Sequence, residues 1–258
     1  MGIPICEVVE GDCVAVMSQW PAGSVDLVFA DPPYNSSGSS LEWIGKQQGG
    51  DWFKVNEGWD TFGGEGAYLD FSNQWIGEAS RLLREGGSLY VCATFHGIAE
   101  IITACKAAGL RVLNIIVWEK TNPIPTLTGR MFGYSHEYLV LAVKGRNWTF
   151  NHELMKAENQ GKQVRDVWRF PVCQGGERVK REDGRAAHPT QKPEALVRRA
   201  IAASSREGDL VLDPFLGSGT TAVVSQSLAR RWCGIELSPE YVRIARERIE
   251  AQQVTGTR

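Results

Sequence analysis

Residues 210–221 read Leu210-Val-Leu-Asp213-Pro214-Phe215-Leu-Gly217-Ser218-Gly219-Thr220-Thr221. A short apolar run, an acid followed by proline, two glycines and then hydroxyl side chains predict a buried strand, a tight turn and a helix start. Glycine lets the backbone approach a ligand closely at a helix N-terminus, where unpaired N–H groups gather. No Gly-Lys-Ser/Thr follows, so the turn is not a Walker phosphate loop. Glu236 stands seventeen positions after Gly219, at the end of the next apolar run, 232–235. A carboxylate there can accept hydrogen bonds from both ribose hydroxyls of a bound nucleoside. This half of the chain fits a nicotinamide dinucleotide or S-adenosylmethionine equally well.

The choice between them comes from the other end of the chain. Val25 to Ala30 (VDLVFA) reads as a buried strand that stops at Asp31-Pro32-Pro33-Tyr34, a turn stiffened by two proline rings. That turn has no role in hydride transfer, but it suits methylation of an exocyclic amine. The N6 lone pair of adenine is delocalised into the ring, so the nitrogen is a poor nucleophile. The Asp31 carboxylate and the Pro32 carbonyl, each taking one amino hydrogen, would favour a pyramidal nitrogen with an available lone pair. Tyr34 offers an aromatic face to a flipped base. Such a transfer needs no metal and no covalent enzyme intermediate, and the scattered Cys and His residues suggest no metal site.

Between these motifs, apolar patterning predicts helices over 68–83, 98–108, 193–204, 218–228 and 239–251, and further strands over 88–93, 111–118, 137–143, 209–212 and 232–235. Strands alternating with helices argue for a parallel α/β sheet. Asn35 to Gly66 is rich in Gly and Ser and holds Trp43, Trp52 and Trp59, and it reads as a long loop whose rings could wedge into a base stack, although folding onto the core is the favoured reading. Asn147 to Ala187 lacks sustained periodicity and reads as an inserted module within a single 1–258 domain.

The bulk composition is that of an ordinary globular protein, 43% hydrophobic and 22% charged. Met1 to Glu10 does not read as a signal peptide and no apolar run suits a bilayer, so a cytoplasmic location with reduced thiols is expected for the six cysteines. A net charge of −2 conceals an uneven distribution, because Lys120 to Arg185 carries twelve basic and seven acidic side chains. A basic middle on an acidic frame fits a protein that meets phosphates on one face.

Several stretches together resemble the amino-methyltransferase family in the subclass whose catalytic motif precedes the cofactor motif. They are Gly11-Asp12-Cys13, Asp31 to Asn35, Val117 to Pro125, Ser135-His-Glu137, Trp168 to Arg178, His188-Pro-Thr190-Gln-Lys192-Pro and Asp213 to Thr221. Within the subclass the sequence is similar to the cell-cycle-regulated adenine methyltransferases and their restriction-system relatives. The resemblance implies a class I Rossmann-like fold of about seven strands, S-adenosylmethionine as cofactor and double-stranded DNA as substrate, in a bacterial, archaeal or phage setting. A homodimer and a cognate restriction enzyme are the further partners it suggests.

The resemblance also assigns positions. Asp12 and Cys13 match the segment holding the cofactor's adenine, although Asp12 reads equally well as a helix cap. His188, Thr190 and Lys192 match the segment gripping its methionine end, and Ser218, Thr220 and Thr221 the hydroxyls near the same carboxylate. Asp31 heads the adenine form of the catalytic motif, whereas cytosine-N4 members usually carry Ser there. Asn122 and Arg130 match the border of the target base. Arg165, Arg169, Arg178, Lys180, Arg181 and Arg185 make the inserted stretch the candidate DNA-reading region. The cell-cycle-regulated members carry a further C-terminal DNA-binding segment that has no counterpart in the 258 residues, so their target sequence is not carried over. The competing readings are a cytosine-N4 methyltransferase and a non-catalytic DNA-binding protein that keeps the fold; an RNA or protein methyltransferase is less favoured.

Overall fold

A computed structural model describes residues 2–34, 66–123, 130, 132–181 and 183–255. In chain order its elements are β1 (Glu7–Glu10), α1 (Cys13–Met17), β2 (Val25–Ala30), α2 (Ala67–Leu82), β3 (Leu83–Ala93), α3 (Ile98–Ala107), β4 (Arg111–Lys120) and β5 (His136–Val143). They continue with α4 (His152–Glu158), β6 (Val167–Phe170), α5 (Glu194–Ser204), β7 (Leu210–Asp213), α6 (Thr220–Ser227), β8 (Arg231–Glu236) and α7 (Pro239–Thr255). The strands form one sheet in the order β1-β8-β7-β2-β3-β5-β4-β6. Only β5 runs against its neighbours β3 and β4; the other pairs are parallel.

The central strands are mostly apolar because both faces are covered. Along β2, Val28 and Ala30 face a core with Trp75, Ile76 and Ala79 of α2, while Leu27 and Phe29 face Leu196, Val197 and Ala200 of α5. The period-2 alternation thus feeds two cores. A third cluster joins Val223 of α6 to Trp232 of β8 and to Val242, Ala245 and Ile249 of α7.

The sheet has eight strands, one more than the seven expected. β1 and β6 span four residues each, too short to show a period in the sequence. β6 comes from the 147–187 stretch and pairs with β4 at the sheet edge. From the same stretch, Met155 of α4 packs on Ala202 and Ala203 of α5. This stretch therefore builds part of the main sheet and core. β3 also begins at Leu83 rather than Ser88, with a register shift against β2. Gly86 permits this with φ +80, and a Cβ there would fall 2.3 Å from the Asn147 carbonyl oxygen. α6 starts at Thr220 rather than Ser218, because Gly219 at its N-cap is left-handed with φ +85.

The chain leaves β7 through α6 toward β8 on one side and leaves β2 through α2 toward β3 on the other. Between neighbouring strands with diverging exits a crevice opens at the C-terminal ends. Val28 is in register with Leu212, so Asp31 and the glycine-rich turn after Asp213 emerge side by side. Among the described residues, no helix is long and apolar enough to cross a membrane.

Candidate active site

The crevice is a cavity of about 500 Å³ lined by Asp31–Tyr34, by Asp213–Ser218 with Thr220 and Thr221, by Gly11–Cys13, His188, Thr190–Lys192 and Glu236. Sequence positions from opposite ends of the chain thus share one pocket, of the size usual for small-molecule sites. Phe71 and Tyr241 add aromatic wall to it.

The glycine-rich turn is held from several sides. The Leu216 N–H donates to the Ile235 carbonyl at 2.9 Å, and Gly217 takes a left-handed φ of +53 with His188 packed against it. The Asp213 carboxyl accepts from the Phe215 N–H at 2.9 Å; burial pushes its pKa up to about 7 against the hydrogen bond from Thr221. Arg248 of α7 closes the back of the turn. Its guanidinium donates to the Ser218 carbonyl at 3.2 Å and the Thr220 hydroxyl at 3.0 Å, and pairs with Glu194 at 2.8 Å. Nothing in the local sequence marks Arg248, because its function depends on where α7 lands.

Glu236 accepts from the Gly217 N–H and the Ser238 N–H, both at 2.8 Å. Each oxygen keeps a further lone pair, and burial raises the group despite these bonds. Asp12 caps α1 by accepting from the Ala15 N–H at 2.9 Å and also lines the cavity, so the cap and pocket readings both hold. Cys13 is buried and its thiol is pushed up to about 12, mainly by burial and then by Asp12. His188 lies 4.6 Å from the Tyr241 ring and accepts from the Thr190 N–H at 3.3 Å. Burial first, then Lys192 and Arg178, press its pKa down to about 4, so the ring is neutral.

Around the Asp31 turn the structure joins side chains into a charged chain whose contacts the sequence assignments did not contain. Lys192, matched to the segment gripping the cofactor's methionine end, lines the cavity with His188 and Thr190 and donates its ammonium to Asp31 Oδ2 at 2.7 Å. The physical reason is burial: with only 7% of its side chain exposed, the cation needs a close counter-charge. The Tyr34 hydroxyl donates to Asp31 Oδ1 at 2.7 Å and reaches Glu137 Oε2 at 3.4 Å. Glu137 also faces Lys192 at 4.0 Å and pairs with Lys120 at 2.6 Å. The Lys192 ammonium lies 5.0 Å from the Tyr34 ring centre.

Burial raises the Asp31 carboxyl, and Lys192 and the Tyr34 hydrogen bond partly offset that rise. Burial disfavours the Lys192 ammonium too, but Asp31 and Glu137 outweigh it and hold its pKa above the usual lysine value. Burial likewise raises Glu137, yet Lys192 and Lys120 bring it below its usual range. Glu137 lay within the Ser135-His-Glu137 stretch, where an acid opening an apolar strand was the available signal. Lys120 had none.

The basic side chains matched to DNA reading have several different partners. Arg169 pairs with Glu119 of β4 at 3.2 Å, at the edge bearing β6. Arg181 pairs with Glu240 of α7 at 2.9 Å, toward the opposite half of the sheet. Arg178 donates to the Pro189 carbonyl at 3.2 Å, Arg185 lies 3.8 Å from Asp183, and Lys180 pairs with Ala186 across a β-bridge. Arg165 and Arg130 are exposed. Asn122, expected beside the target base, joins its segment to 172–174: its amide donates to Gln174 at 2.8 Å and accepts from the Val172 N–H at 2.8 Å. Trp43, Trp52, Trp59 and Pro125 lie outside the described residues.

The chain is similar to known proteins in sequence and fold. The DNA methylase family matches residues 25–247. The type II methyltransferase M.HinfI of Haemophilus influenzae is 39% identical over 94% of this chain and 67% of its own length. The type II methyltransferase M2.DpnII of Streptococcus pneumoniae is 39% identical over 96% of this chain and 91% of its own. Among solved structures, M1.HpyAVI in complex with SAM superposes with a TM-score of 0.67 at 24% identity, covering 94% of this chain and 98% of that one. The cytosine-N4-specific PvuII DNA methyltransferase does so with a TM-score of 0.73 at 17% identity, over 96% and 87%. The match spans both the catalytic turn and the glycine-rich turn, and the chain belongs to the DNA methylase family.

Proposed function

We propose that the chain transfers a methyl group from S-adenosylmethionine to the N6 of adenine in double-stranded DNA, acting on a base rotated out of the helix. The observation carrying this reading is the shared pocket, in which the Asp31 turn and the Gly217–Thr221 turn line one cavity at the switch point of the sheet. Fold alone does not choose the base, since a cytosine-N4 enzyme superposes as well as M1.HpyAVI does. The choice rests on Asp31, the acid that heads the adenine form of the motif.

The pocket fits the cofactor by its chemistry. Glu236 presents a carboxylate for ribose hydroxyls, Asp12 and Cys13 line the wall matched to the cofactor's adenine, Phe71 and Tyr241 present flat apolar faces, and Ser218, Thr220 and Thr221 present hydroxyls at the start of α6. When bound, S-adenosylmethionine supplies an electrophilic methyl group. Asp31 accepts one amino hydrogen of adenine and withdraws it from the ring plane, and Pro32 offers the second acceptor. Lys192 keeps Asp31 ionised inside a partly dry site, and Tyr34 fixes the carboxylate's orientation. After transfer, the proton released from N6 has a nearby acceptor in Asp31, whose burial makes it more basic than an ordinary aspartate.

The experiment is nucleoside analysis by mass spectrometry of DNA treated with the protein and donor. N6-methyladenine is expected from the native chain, with at least a roughly thousand-fold lower yield from Asp31→Ala that still binds the donor. N4-methylcytosine, or full activity in Asp31→Ala, overturns the reading. A second copy of the chain has a candidate surface where Ile115 of β4 and Val167 of β6 stand 43% and 53% exposed. A cognate restriction enzyme belongs to the same reading through the type II relatives.

A further inference from the structure

The catalytic edge of the sheet also carries an aromatic cluster outside the cavity. β3 ends at Ala93 and turns through Thr94–Gly97, while the antiparallel β5 starts on this same edge at His136. Phe95 from the turn and Tyr134 from the approach to β5 are stacked, with ring centres 5.1 Å apart and planes 16° apart. The His96 ring centre lies 3.7 Å from that of Phe95. Phe95 is 47% exposed, Tyr134 40% and the neighbouring Phe132 97%. Single exposed apolar residues are ordinary, but a stacked pair with a further exposed ring marks a contact surface.

The platform is preorganised. The N–H groups of Gly97 and Ile98 donate to the Thr94 carbonyl at 3.3 and 3.1 Å, and a Cβ on Gly97 would fall 2.6 Å from the Tyr68 ring. The turn bearing Phe95 is therefore pinned to α2. It is also continuous with the reacting centre, because Glu137, three residues beyond Tyr134, contacts the Tyr34 hydroxyl. We propose that the Phe95–Tyr134 stack receives a DNA base displaced from the helix when the target adenine is drawn into the cavity.

The occupant follows from chemistry. Extruding one base leaves its partner unpaired and its neighbours unstacked, and each of these presents a flat π face that water solvates poorly. Uncharged aromatic faces with exposed edges meet that need in a sequence-tolerant way, whereas phosphates would call for cations. This inference rests on the DNA-methylation reading.

The test uses the full chain and a duplex containing its own methylation site, located by sequencing methylated bases. Phe95→Ala should raise the KM for duplex about 5- to 150-fold, the loss expected for one stacked base, with kcat and donor affinity near native. Phe95→Trp should restore KM. With 2-aminopurine opposite or beside the target, the native protein should leave the probe quenched relative to Phe95→Ala. Unchanged KM and fluorescence in Phe95→Ala, while the native chain still makes N6-methyladenine, would overturn the platform and spare the methylation reading. Loss of donor binding in Phe95→Ala would also overturn it, since the ring would then support the cavity instead of docking DNA. If the native chain methylates no adenine, both readings fall.

Discussion

Replacing Lys192 by Met removes the ammonium that lies 2.7 Å from Asp31 and keeps a side chain of similar length. Glu137 would retain Lys120 at 2.6 Å, but Asp31 would be left with the Tyr34 hydroxyl. A charge pair about 4 Å apart at an effective dielectric of about 20 interacts by roughly 4 kcal/mol. Asp31 keeps 17% of its side chain exposed, so water recovers part of this, and a further rise of the Asp31 carboxyl above its already raised position is the expected outcome. The sign follows from the acid: without the cation its neutral form is favoured, so ionised Asp31 is reached only at higher pH. Single-turnover rates from pH 5.5 to 9.5 should therefore show the acidic limb of the Lys192→Met profile displaced upward, with partial recovery at the alkaline end. Lys192→Arg, which keeps the charge, should displace it far less. An unmoved limb in Lys192→Met, with donor binding intact, would refute the coupling between Lys192 and Asp31.

Two further predictions concern the donor pocket. Arg248→Met should destabilise the fold by about 2–4 kcal/mol, because Glu194 loses its partner and the Ser218 carbonyl loses a donor; urea denaturation measures this, and donor titration should show weaker binding as the glycine-rich turn loosens. His188, with its pKa pressed down to about 4 by burial, resists protonation in the fold but accepts it when unfolded. Its contribution to stability is thus complete above its unfolded value and lost as pH falls from about 6.5 toward 4, by roughly 3 kcal/mol at most. Asp213, raised to about 7 by burial, slopes the opposite way across much of this range. The effect must therefore be read as the difference between the native and His188→Gln stability profiles; a difference independent of pH would contradict it.

How much of this was legible beforehand depends on the range of the interaction. The central strands, the glycine-rich turn and the proline-stiffened turn were readable because alternation, φ freedom and ring rigidity are local properties of the chain. The adjacency of Asp31 to the donor turn followed from the motifs only through resemblance, and the sheet order supplies its physical cause. β1 and β6 escaped notice because edge strands of four residues carry too little pattern. The 147–187 stretch looked detached since its apolar residues are spaced for contacts with β4 and α5, which no regular period in the stretch itself reveals.

Sequence alone determined a glycine-rich turn after one strand and an acid-headed, proline-stiffened turn after another, because each is written in consecutive residues. Only the tertiary structure decided which charges meet. Lys192 and Asp31 are 161 residues apart, and Glu137, Lys120 and Arg248 reach the site from elements whose positions depend on the whole sheet. Buried charges must find counter-charges in space, and spatial neighbours are set by strand order, which no local stretch encodes.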